Sequence, residues 1–143
     1  MNSKFMRLTI CFLFCIIAAQ AGAEIKKDLG DWEVHYIALN TTFLSPEIAR
    51  ANDILRSERN ALVNISVLDS RNKVPQEVNI SGTARNLLGT SKELTFKQVK
   101  EGKAIYYLAS VAFSDKEVLR FDIDISQDNI SQNLQFQQMM YIE

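Results

Sequence analysis

Apolar and polar positions alternate with a period of two along most of this chain. Trp32, Val34 and Tyr36 interleave with Asp31, Glu33 and His35. Ala61, Val63, Ile65 and Val67 share a face, with Asn64 and Ser66 opposite. Further runs place Val78, Ile80, Gly82 and Ala84 on one side, then Leu94 and Phe96, then Ile105, Tyr107, Ala109, Val111 and Phe113. Leu119, Phe121, Ile123 and Ile125 form the next run, and Leu134, Phe136, Met140 and Ile142 the last. This period puts successive side chains on opposite faces of a strand. Each run is apolar on one side only, so each sheet needs a second sheet to cover it. The pattern predicts an all-β chain: an immunoglobulin-like β-sandwich of about seven antiparallel strands, with a small closed barrel as the competing architecture.

The breaks carry turn chemistry. Ser70-Arg71-Asn72-Lys73, with Pro75 close behind, separates the second and third strands. Lys100-Glu101-Gly102-Lys103 reads as a tight hairpin, with Gly102 able to take a positive φ. Ser114-Asp115-Lys116 reads as another hairpin, and Gln127 to Ser131 joins the last two strands. Asn86-Leu87-Leu88-Gly89 is less polar and reads as a corner where the chain changes sheet. Residues 40–60 do not alternate. Within them Ser45-Pro46-Glu47 predicts one short helix in the connection between the first two strands. Ser45 is its N-cap, Pro46 fits the first helical position, and Glu47 suits the positive end of the helix dipole. The helix would end near Asn52-Asp53. A connection this long is either a functional element or simply the crossover between the sheets.

The N-terminus follows a different rule. Lys4 and Arg7 precede an apolar run from Leu8 to Ala19, then the small residues of Ala19-Gln20-Ala21-Gly22-Ala23. This is the pattern of a secretory signal peptide over residues 1–23, and the apolar run is short for a membrane span. Cleavage fits after Ala21 or Ala23; polar Glu24-Ile25-Lys26-Lys27 favours the second. One domain, residues 24–143, then remains. Removing 23 residues from 143 leaves 120, enough for a core without covalent staples. Removing Lys4 and Arg7 from 16 basic residues leaves 14 against 17 acidic ones, a net charge of −3. That balance argues against a nucleic-acid partner. No later apolar run exceeds a strand's length, so no membrane span is expected after cleavage.

Composition also narrows the chemistry. Cys11 and Cys15 both lie in the leader, so the mature chain forms no disulfide and has no thiol nucleophile. Its single histidine, His35, cannot build a multi-histidine zinc site. There is no Gly-x-Ser-x-Gly elbow, and His35 is expected to face solvent beside Glu33. Asp122-Ile123-Asp124-Ile125-Ser126-Gln127-Asp128 resembles a calcium loop at first sight. It lacks the glycine and distal glutamate, and its isoleucines require a strand with both aspartates on one solvated face. Asn40, Asn64, Asn79 and Asn129 begin N-x-[ST] sequons, which matter only in a eukaryotic secreted protein. Tyr106, Met139 and Tyr141 sit opposite core-facing positions. Exposed together they would form a binding patch; cover by residues 40–60 is the alternative.

Several phrases carry a family likeness: Ser45-Pro46-Glu47-Ile48-Ala49, Arg59 to Asp69, Ser81-Gly82-Thr83-Ala84, Ala104 to Leu108, and Phe121-Asp122-Ile123. With these the chain resembles the family called domain of unknown function 4426, short exported proteins of gammaproteobacteria. The likeness runs from about Gly30 to Ile142. It implies a periplasmic β-sandwich and brings no activity, cofactor or catalytic residue with it. The expected function is therefore a non-enzymatic binding or interaction module in the periplasm, without catalytic, cofactor-binding or metal residues. Its partner would be an envelope protein or small ligand, and its candidate contacts are Thr42, Arg56, Arg59 and Tyr106. A chaperone-like or structural envelope factor is the alternative, followed by a hydrolase that uses carboxylates alone.

Overall fold

A computed structural model describes residues 25–142. The leader predicted over residues 1–23, with Cys11 and Cys15, lies outside them. The described chain forms nine strands: β1 (Ile25–Leu29), β2 (Trp32–Asn40), β3 (Asn60–Asp69), β4 (Asn79–Arg85), β5 (Ser91–Leu94), β6 (Lys97–Glu101), β7 (Ala104–Ala112), β8 (Glu117–Gln127) and β9 (Ile130–Met140). One helix, α1 (Pro46–Ala51), and a single 3-10 turn (Thr41–Phe43) lie between β2 and β3.

The strands make two antiparallel sheets, ordered β1-β2-β3-β7-β6 and β5-β4-β8-β9. Without the edge strands β1 and β5, this is the strand order of a seven-stranded immunoglobulin sandwich, with β4, β8 and β9 opposite β2, β3, β7 and β6. The predicted sandwich is therefore the observed one. Its core is the set of alternating residues already identified. Trp32, Val34, Ile65, Val67, Phe121, Ile123, Ile125 and Leu134 are all buried in one cluster. Phe136 stacks on Phe121 with ring centroids 4.6 Å apart and meets Tyr36 at 4.5 Å. The Tyr107 hydroxyl accepts from Val78 N at 2.8 Å and from Gln98 Nε2 at 3.0 Å, tying the β3–β4 crossover to the β6–β7 hairpin.

Four details differ from the sequence expectation. β1 is an additional edge strand whose lysines hid it from a search for alternation. Leu94 and Phe96 do not share one strand, because the chain leaves one sheet after Leu94 and enters the other at Lys97. Ser114-Asp115-Lys116 is not a hairpin within a sheet but the crossing from β7 to β8. Conversely, Asn86-Leu87-Leu88-Gly89 does not cross: it is a tight turn joining β4 to its neighbour β5, closed by Asn86 N donating to Thr90 O at 3.0 Å. One cause covers the three misplaced connections. Both sheets share the core, so inward-facing residues keep their period when the chain changes sheet. The Gly102 hairpin is as predicted, with φ of 61°.

Candidate functional site

The outer faces of a sandwich are ordinarily polar, but part of the five-stranded sheet's outer face is not. Ile37 and Leu39 on β2, Leu62 on β3 and Leu108 on β7 all point away from the main core. Residues 40–60 fold over them. Leu39, Leu44, Ala49 and Leu62 form a second buried cluster, edged by Ile37, Phe43, Ile48, Ile54 and Leu108. The predicted helix is the centre of this cap. Ser45 Oγ accepts from Ile48 N at 3.2 Å, Pro46 opens the helix, and Asn52 Nδ2 closes it on Ile48 O at 2.9 Å.

Side chains bonded to main chain hold the cap down. Thr41 is fully buried; its hydroxyl donates to Ser57 O and accepts from Ser57 N, both at 2.9 Å. Arg56 Nε donates to Leu44 O at 2.8 Å and its Nη2 to Thr42 O at 3.3 Å. Asn60 Nδ2 reaches Leu55 O at 2.7 Å, and Asn40 Nδ2 reaches Tyr141 O at 2.8 Å. Of the four expected contact residues, Arg56 thus spends its guanidinium on the cap, and Thr42 supplies a carbonyl to it. Arg59 lies at the cap's exit, where its carbonyl accepts from Phe113 N at 2.9 Å. Tyr106 stands on the same sheet face, half-buried. The structure does not bring it to Met139 and Tyr141, which belong to the opposite sheet and its C-terminal end.

Beside the cap runs a groove of about 290 Å³ between Asn52, Asp53 and Ile54, which follow α1, and the β5–β6 crossover. Ile54, Leu62 and Leu108 give it an apolar floor, and Asp53, Glu93 and Lys97 a charged rim. Lys97 Nζ meets Asp53 Oδ2 at 3.2 Å across the opening, and both side chains are exposed. Such a pair contributes little to stability and separates easily. Sequence reasoning missed these residues. The signal was present in Ile37, Leu39, Leu62 and Leu108, apolar residues out of phase with their strands that require a cover.

Further along the same face, Glu33 is buried beside two lysines and a histidine. Its carboxylate meets Lys26 Nζ at 3.1 Å, His35 Nε2 at 3.0 Å and Lys73 Nζ at 3.4 Å. The hydrogen bonds from His35 and Lys26, outweighing burial, lower its pKa from 4.5 to about 2. His35 is therefore partnered and partly shielded, where solvent exposure was expected. On the four-stranded sheet, Asp122 and Asp124 share an outer face as predicted. Asn133 Nδ2 bridges them at 2.6 and 3.0 Å.

Comparison with known proteins sets this geometry in context. The chain is similar to a crystal structure of a DUF4426 family protein from Pseudomonas aeruginosa PAO1, with 31% identity, a TM-score of 0.75, and coverage of 84% of this chain and 96% of that one. It also shares its fold with FetP of uropathogenic Escherichia coli strain F11, at 12% identity. A copper-bound single-residue variant of FetP gives a TM-score of 0.58, covering 82% of this chain and 89% of that one. The as-isolated protein, expressed recombinantly in the periplasm, gives 0.55, covering 83% and 94%. No curated protein matches the chain. The family model for the domain of unknown function DUF4426 matches residues 26–143, and together with the Pseudomonas structure it shows that the chain belongs to that family.

Proposed function

We propose that the chain is an exported periplasmic binding module that recognises its partner at the cap and the groove beside it, without transforming it. The observation that carries this reading is the groove itself: an apolar floor, a charged rim, and a cap fixed by side-chain-to-backbone bonds. Small sites in proteins are commonly built this way, from apolar walls and a few placed polar groups. Thr42 and Arg59 on the cap and Tyr106 on the same sheet face remain proposed contacts, although none of them lines the groove. Arg56 contributes by holding the cap in shape.

Copper, seen in the FetP variant, is not carried over here. Among the described residues no three His, Cys, Asp or Glu side chains gather as ligands. The leader pattern of residues 1–23 supports export.

Photoreactive residues placed at Asp53 and Lys97, and at Lys103 on the far end of the sandwich, test the reading. Cross-linking in the periplasm should trap one partner or ligand from the two rim positions and none from Lys103. Equal labelling at all three positions would count against the groove as the binding site.

A further inference from the structure

On the other sheet, Arg85 of β4 and Arg120 of β8 stand directly opposite each other in the ladder. Their neighbours Ala84, Leu119 and Phe121 are buried in the core, so both arginines point outward, and both are exposed. Side chains opposite one another on adjacent strands have Cβ atoms about 5 Å apart, and like charges there repel. Neither guanidinium has a carboxylate within ion-pair distance among the described residues. Asp122, one row along the same face, is engaged on its far side by Asn133 at 2.6 Å. Glu93, opposite Thr83 in that same row, makes no ion pair with them either.

The register extends this pair into a row across the whole sheet: Ser91, Arg85, Arg120 and Gln137. A hydroxyl and an amide therefore flank the two guanidinia. Thr83, Gln135 and the carboxylate of Asp122, the one acidic group in the lining, join them around a groove of about 480 Å³. We propose that this row binds a phosphoryl group. A guanidinium fork matches phosphate oxygens with two parallel hydrogen bonds. A dianion with three oxygens can satisfy both forks and cancel the repulsion, which a single carboxylate cannot do. The adjoining β4–β5 turn exposes Leu87 and Leu88, the latter 92% accessible. The phosphoryl group therefore has two sources, a soluble phosphate ester or a phosphate-bearing lipid.

The test reads the arginine side chains by NMR while inorganic phosphate is added to the full mature chain at constant ionic strength. Saturable shifts of the Arg85 and Arg120 Nε–H signals are expected, with no matching change on chloride addition. Arg85→Gln and Arg120→Gln should weaken phosphate binding about tenfold or more. Both should keep the wild-type fold and melt no lower than wild type in phosphate-free buffer, because the repulsion has gone. Absence of saturation, or shifts retained in both variants, overturns the proposal. Vesicles of phosphatidylcholine with and without phosphatidic acid separate the sources. Sedimentation only with phosphatidic acid, lost in Leu88→Ser while the phosphate shifts persist, identifies a lipid. Phosphate shifts without sedimentation identify a soluble ester.

Discussion

Glu33 shows how one residue ties a strand edge to a loop. It pairs with Lys26 on β1 and with Lys73 in the β3–β4 crossover, while His35 supplies its nearest hydrogen bond at 3.0 Å. Its folded-state pKa, about 2, lies below the ordinary 4.5. The stability it contributes is therefore complete above the unfolded pKa and is lost as pH falls towards 2. Glu33→Gln should lower the melting temperature at pH 6, and the gap from wild type should narrow steadily between pH 4.5 and pH 2. Parallel melting curves across that range would contradict the assignment. Gly82 is constrained by space. A Cβ there would lie 2.6 Å from Asp122 O and 2.9 Å from Ile123 Cγ1. Gly82→Ala must push β4 away from β8, so chemical denaturation should show a loss of about 1–3 kcal/mol.

At the scale of elements, the cap is the part whose stability can be tuned separately. Arg56→Ala removes two charge-assisted bonds to main-chain carbonyls of the cap. A loss of about 1–3 kcal/mol is expected, with faster amide exchange confined to residues 41–57. Exchange quickened equally in β8 and β9 would place Arg56 in the global fold instead. This cap was largely legible: Ser45, Pro46 and Glu47 announce the helix by local chemistry that needs no tertiary context. Where it docks was not, since Leu39, Leu62 and Leu108 looked like phase errors until the sheet beneath them was known. Strand alternation was equally legible and stopped short in one respect. It tells inward from outward but not which sheet a strand joins, hence the split near Thr95. β1 escaped notice because an edge strand exposed on both faces has no reason to alternate. The Arg85–Arg120 row was invisible for a similar reason: cross-strand register joins residues 35 positions apart, and nothing local marks it.

Across the whole molecule, charge is distributed unevenly over the sheet edges. β6 carries Lys97, Lys100 and Glu101, and β1 carries Lys26, Lys27 and Asp28, which discourage pairing with another chain. β9, an eleven-residue edge strand, has no charged residue at all. Lys27 Nζ reaches across from β1 to Gln135 O at 3.2 Å and supplies the missing guard. A chain shortened to begin at Asp31 should therefore associate with rising concentration in sedimentation velocity, while the 24–143 chain stays unchanged. Trp32, the only tryptophan, gives this architecture an intrinsic reporter. It is buried at the start of β2, the far end of that strand from the cap, so its fluorescence follows the main core and is insensitive to the cap. Circular dichroism at the α-helical wavelength samples α1 as well. Where the two melting curves separate, as they should in Arg56→Ala, the difference measures how far the cap opens while the sandwich beneath it stays closed.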